Sequence, residues 1–178
     1  MVPCSISNKR RWLMPLVVAC LMGTTSGCSS RPAAAGGNSA SPAAITADET
    51  CPVCGMAPAN YPAWQSLVLF VDGEHRSFEC PRDMLLFINN MSEYDPGHDR
   101  KDIRSIFVKD FATGAWIDAR KAHFVAGSVE KGPMGEDFIP FALLETSRQF
   151  IRSKSGQVLV LRQINNDVLD TFIPAGQR

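Results

Sequence analysis

The chain is 178 residues long, and its 18 Lys and Arg balance its 18 Asp and Glu. That balance lacks the basic excess by which nucleic-acid binders attract phosphate. Past the first 49 residues, the remaining length suits one domain or two small lobes.

In chain order, Lys9, Arg10 and Arg11 form a basic start, and Trp12 to Met22 is apolar but short for a bilayer-spanning helix. Thr25-Ser26-Gly27-Cys28 then sets small residues before a cysteine, the pattern of a bacterial lipobox. The expectation is a lipoprotein signal peptide over residues 1–27, cleavage before Cys28, and acylation of the Cys28 thiol. Ordinary secretory cleavage in the same region is the competing reading. Cleavage removes three basic residues and no acidic one, leaving a net negative chain. Ser29, in place of the Asp that holds lipoproteins at the inner membrane, points to a periplasm-facing protein on the outer membrane of a Gram-negative host. Residues 28–49 are rich in Ala, Ser, Gly and Pro with little to bury. They read as a flexible tether with an r.m.s. reach of roughly 25 Å.

From Thr50 the composition becomes globular, and residues 50–178 read as one domain of two lobes, about 50–112 and 113–164. Trp64 to Val71 is a strand, Asp72-Gly73 a hairpin turn, and Glu74 to Glu79 the returning strand. Pro81 suits a first helical position, and Met84, Leu85, Phe87, Ile88 and Met91 recur at helical spacing. Residues 89–100 read as a loop and Ile103 to Lys109 as a strand. Trp116-Ile117 and His123 to Gly127 are short strand-like runs that open a second unit. A tight loop at Gly132-Pro133-Met134-Gly135 follows, then extended Phe138 to Phe141, helical Leu143 to Ile151, and a final strand, Gln157 to Ile164. The order strand, strand, helix, strand thus occurs twice, in an α+β fold with mostly antiparallel pairing. Residues 165–178 read as a short tail.

The densest chemistry lies in Cys51-Pro52-Val53-Cys54-Gly55-Met56, three sulfur side chains in six residues. With Cys4 and Cys20 in the signal and Cys28 acylated, Cys51, Cys54 and Cys80 remain as thiols, an odd number for a disulfide framework. Thiolate and thioether together form a soft donor set that selects Cu(I), which argues for a metal carrier over a catalyst. Residues two apart in an extended segment share a face, so Cys54 and Met56 are expected to aim at one site. Met134, flanked by glycines, is a better ligand candidate than Met84 or Met91, which fit a helix's apolar face. His123, in a strand near Met134, is a further candidate donor, whereas His75 and His98 read as surface residues. The alternatives are an exported structural protein with Cys51 and Cys54 in a disulfide, or a zinc site of Cys51, Cys54, Cys80 and one histidine. No Ser-His-Asp set, phosphate loop or paired-carboxylate context stands out, and Asp and Glu read as a dispersed, solvated face. The chain is therefore not expected to be an enzyme.

Several elements resemble the NosL-type accessory lipoproteins of nitrous-oxide-reductase maturation. They are Cys51-Pro-Val-Cys54-Gly-Met56, Tyr61-Pro62-Ala-Trp64, Val71-Asp72-Gly73, Phe78 with Asp83-Met84, and Val108-Lys-Asp110 with Ala115-Trp116-Ile-Asp118-Ala119. Ala122-His-Phe-Val125-Ala-Gly127-Ser128 and Gly132-Pro133-Met134-Gly135-Glu-Asp137 complete the series. The resemblance implies a membrane-tethered Cu(I) chaperone of two strand-strand-helix-strand lobes. It implies as partners a NosD-like periplasmic protein of an ABC transporter complex and nitrous oxide reductase itself. Cys54, Met56 and Met134 fall on the family's sulfur positions, with Cys51 or His123 as an exchangeable extra donor.

Overall fold

The structure is a computed structural model that describes Pro42 and residues 44–177. The lipobox, Cys28 and most of the tether lie outside the described residues. No helix among those described is long and apolar enough to cross a membrane.

Ser66–Phe70 (β1), His75–Phe78 (β2), Ile103–Lys109 (β3) and Trp116–Asp118 (β4) form a four-stranded sheet in the order β2-β1-β3-β4. Each of its pairings is antiparallel. β1 is almost continuously buried because strands flank it on both sides and Pro81–Asn89 (α1) packs on it. The hairpin joining β1 to β2 turns at Gly73, whose φ of 96° is natural for glycine. Met91–Tyr94 (α2) follows α1 within the stretch expected to be a loop.

His123–Ala126 (β5), Ile139–Phe141 (β6) and Gln157–Val160 (β7) make a three-stranded antiparallel sheet in the order β6-β5-β7. Leu144–Lys154 (α3) packs against all three strands. The doubled order strand, strand, helix, strand is therefore present, with mixed helix and antiparallel sheet.

Two local expectations are corrected. Trp116-Ile117 does not open the second unit: Lys109 pairs with Trp116 and Val108 with Ile117, so β4 is an edge of the first sheet. The final strand stops at Val160, where Leu161–Gln163 tightens into a 3-10 turn that buries Leu161. The short tail packs, since Asn166–Phe172 forms a helix (α4) whose N-cap, Asn165, accepts a bond from the Val168 N–H. Apolar spacing explains its docking, for Leu169 and Ile173 sit four apart and both are fully buried.

One cluster of buried side chains joins the two units. Val68, Phe78, Met84, Phe87 and Val108 of the first share it with Phe124, Phe138 and Leu159 of the second and Leu169 of α4. Met84 and Met91 are in it, as their helical spacing requires. A smaller cluster of Val125, Ile139 and Phe141 lies under α3.

Candidate metal centre

The cysteine loop precedes β1 and closes on itself. The Gly55 N–H donates to the Cys51 carbonyl at 2.9 Å, and the Cys51 N–H donates to the Met56 carbonyl at 2.8 Å. Gly55 takes a φ of 77°, so the chain reverses there. The segment is thus a turn, and the extended-chain argument placing Cys54 and Met56 on one face does not hold. Cys51 is buried against α1, whereas Cys54 is half-buried.

α1 supplies the opposing wall. Pro81 occupies its first turn and Asp83 follows, where a carboxylate complements the helix dipole. The Cys51 thiol faces Asp83 Oδ2 at 3.6 Å, while the Cys80 thiol donates to Glu79 Oε1 at 3.1 Å. One atom from each of Cys51, Cys54, Glu79 and Asp83 lies within 4.8 Å of the others. Among the described residues this is the group of acidic, cysteine or histidine side chains arranged to hold a metal ion. All three described cysteines are free thiols, and no histidine joins the group. The Cys3His arrangement is therefore not assembled: Cys80 turns to Glu79, and His75 binds Glu49 at 3.1 Å. His98 lies between Asp72 and Asp95 at 3.0 and 3.1 Å.

Arg82 and Asp137 connect this wall to the loop after β5. Arg82 is buried, and its Nε donates to Asp83 Oδ1 at 3.0 Å while its Nη1 donates to the Met134 carbonyl at 2.8 Å. Asp137 Oδ1 accepts from the backbone N–H groups of Arg82 at 2.8 Å and Phe138 at 2.7 Å. The Met134 loop is closed by reciprocal bonds between Gly132 and Gly135, of 2.8 and 3.1 Å. A Cβ at position 132 would run into the Asp137 carboxylate, so that position requires glycine.

Cys54 and Met134, from loops of different units, thereby line one cleft of about 280 Å³ with Val53, Arg82, Asp83, Leu86 and Gly176. Met56 is half-buried and is not among the lining residues. His123 is half-buried in β5, between Phe141 and Val160 in register, and lies in neither the cleft lining nor the acidic-thiol group.

The electrostatics favour protonated thiols. Burial pushes the Cys54 thiol up to about 12, reinforced by Asp83. Burial and the Glu79 charge raise Cys51 further, and burial raises Cys80. Burial, then the Asp83 charge, raises Glu79. Asp137 is pushed up to about 7 by burial, against the two N–H donors that favour its charge.

The buried acids are what the residue pattern left unassigned. Glu79, Asp83, Asp110 and Asp137 are buried, contrary to the expected solvated acidic face. Glu79 and Asp83 flank Cys80-Pro81 at a strand-to-helix junction, and acids on both sides of a cysteine there were the available signal.

A family model described as NosL matches residues 42–169. A copper-binding lipoprotein NosL from Achromobacter cycloclastes is 36% identical over 64 residues, 35% of this chain and 33% of that protein. The chain thus matches about a third of the length of that relative. The crystal structure of the copper chaperone NosL from Shewanella denitrificans superimposes with a TM-score of 0.61 at 24% identity, covering 71% of this chain and 97% of that one. The solution structure of apo-NosL from Achromobacter cycloclastes matches with a TM-score of 0.45 at 27% identity, over 62% of this chain and 93% of the other. These relatives are named for binding or carrying copper, not for catalysis.

Proposed function

The chain belongs to the NosL family, and from that premise we propose that it is a Cu(I) metallochaperone whose cargo sits in the cleft between the cysteine loop and the Met134 loop. The observation that carries the reading is the convergence of Cys54 and Met134 on one cleft from separate units of the fold. A thiolate and a thioether are soft donors suited to Cu(I). Met56, anchored to Cys51 through its carbonyl, is the third sulfur, reached by rotation of its flexible side chain. Cys51, beside Cys54, is the exchangeable extra donor in preference to His123, which lies in β5 away from the cleft lining. A low-coordinate site of this kind accepts an incoming ligand before an old one leaves, so copper passes to an acceptor by stepwise exchange.

The resemblance to the family supports the remainder. The copper is delivered to the maturation of nitrous oxide reductase, with a NosD-like periplasmic protein of an ABC transporter complex as the docking partner. Acylated Cys28 holds the protein in the cell envelope, facing the periplasm.

The test is an anaerobic Cu(I) competition titration of the reduced full-length protein beside Cys54→Ser and Met134→Ala. One tight equivalent in the parent, weakened at least tenfold in each variant, supports the site. Affinity indifferent to both substitutions removes it. Loading of apo nitrous oxide reductase from the Cu(I) form, with and without the NosD-like protein, tests the client.

A further inference from the structure

We propose that the same wall of α1 forms a second, divalent-metal site of the Zn(II) class, held by Cys51, Cys54, Glu79 and Asp83. It shares the two cysteines with the Cu(I) reading but uses neither Met56 nor Met134.

Three observations carry it. First, one donor atom from each of these four residues lies within 4.8 Å of the rest, although they come from the cysteine loop, the end of the β2 segment and α1. Ligand atoms around a tetrahedral zinc are about 3.3–3.8 Å apart, so a contraction of at most about 1.5 Å closes the set. Second, Glu79 is fully buried, and while its Oε1 receives the Cys80 thiol, its Oε2 has no hydrogen-bond partner. A buried oxygen left unpaired is costly, and a cation is a partner that satisfies it. Third, Asp83 divides its oxygens: Oδ1 takes Arg82, and Oδ2 points to the Cys51 sulfur at 3.6 Å. The arginine thus orients the carboxylate as an outer partner orients a metal ligand, leaving one oxygen for the ion.

Charge selects the class of ion. Two thiolates and two carboxylates face one buried guanidinium, that of Arg82. A dication neutralises more of that excess than Cu(I) does, and two sulfurs with two oxygens suit borderline Zn(II) better than a soft monovalent ion. The cleft beside Cys54 and Asp83 provides the way in. A bound dication also denies Cys54 to copper, so the two metals exclude each other.

The experiment titrates Zn(II) and Cu(I) separately into the reduced full-length protein against chromophoric competitors. The parent is run beside Glu79→Gln, Asp83→Asn and Met134→Ala. Comparison between variants cancels whatever Cys4, Cys20 and Cys28 contribute. The expected result is a crossed one: Glu79→Gln and Asp83→Asn each weaken Zn(II) at least tenfold and Glu79→Gln changes Cu(I) less than about threefold, while Met134→Ala weakens Cu(I) at least tenfold and Zn(II) less than about threefold. Loss of Cu(I) binding with the Zn(II) pattern intact would overturn the chaperone reading and leave this one standing. Zn(II) affinity unchanged by both carboxylate variants overturns the proposal. Should those variants not fold, the parent loaded with Co(II) decides. Intense tetrahedral bands with thiolate charge transfer support the site, and a weak six-coordinate spectrum overturns it.

Discussion

Arg82 Nη1 donates to the carbonyl oxygen of Met134 at 2.8 Å, across 52 positions of sequence. That bond and the Nε bond to Asp83 make one guanidinium the strut between the helix that walls the thiols and the loop that carries the thioether. Because the arginine is almost wholly buried, both of its partners depend on it.

Replacing Arg82 with Met is expected to strand the Asp83 charge and release the Met134 carbonyl. Breaking a buried ion pair from one side costs about 3–5 kcal/mol. Urea unfolding reads the stability, and Cu(I) competition reads the cleft, where at least a tenfold loss of affinity is expected. Arg82→Lys, which keeps the charge but not the fork, is expected to restore stability more than affinity.

Copper affinity is expected to fall on acidification. With Cys54 pushed up to about 12 and Cys51 higher still, both thiols carry protons at neutral pH. Each thiolate bond to the metal therefore displaces one proton, and apparent affinity drops about tenfold per pH unit for each cysteine used. Competition titrations across the neutral range give the slope. One decade per unit means Cys54 alone, two mean Cys51 joins it, and a flat profile would mean that no thiol binds copper.

Asp137 sets a pH dependence of folding with the opposite sense from an ordinary paired carboxylate. Its folded value, about 7, lies above its unfolded value near 3.8, so the folded state holds the extra proton in between. Its contribution is favourable below the unfolded value and is lost as pH rises through about 7. The stability of Asp137→Asn relative to the parent is accordingly expected to increase from acid to neutral pH. Denaturation at several pH values checks it, and a constant difference would show that Asp137 titrates normally.

The C-terminal helix is expected to be part of the fold's stability rather than an appendage. Leu169 is fully buried in the main cluster. Leu169→Ala should cost about 2–5 kcal/mol, read as a shift of the urea midpoint, because a leucine's worth of packing is removed from a closed core. An effect under about 0.5 kcal/mol would mean that the helix undocks freely.

Periodicity made the frame legible and left the polar interior dark. The Trp64 to Val71 run and the Asp72-Gly73 turn located β1 and β2, and the spacing of Met84, Leu85, Phe87 and Ile88 located α1. Trp116-Ile117 carries a short strand signal but nothing that names its partner, so its pairing with β3 could not be read locally. The cysteine loop was visible as chemistry but not as shape, because a single glycine with positive φ turns an apparent extension into a reversal. The burial of Glu79, Asp83 and Asp137 was hidden for a related reason. Acids are normally solvated, but here Arg82 pairs with Asp83, the Arg82 and Phe138 N–H groups hold Asp137, and the Cys80 thiol meets Glu79. Met134 stood out because glycines bracket it, yet its proximity to Cys54 depends on a bond to an arginine that no local pattern marks.

The closed Gly132–Gly135 loop constrains how cargo held at the proposed site would leave. Its two backbone bonds, the Arg82 strut and the glycine pressed on Asp137 fix the main chain on which Met134 sits. A hinge is therefore unnecessary for unloading. The moving part is the methionine side chain, whose torsions reorient in picoseconds to nanoseconds, whereas lids and domains open in microseconds or longer. On the proposed mechanism the pace of hand-over is then set by how often a partner arrives with a better ligand, as from an open hand rather than a locked box.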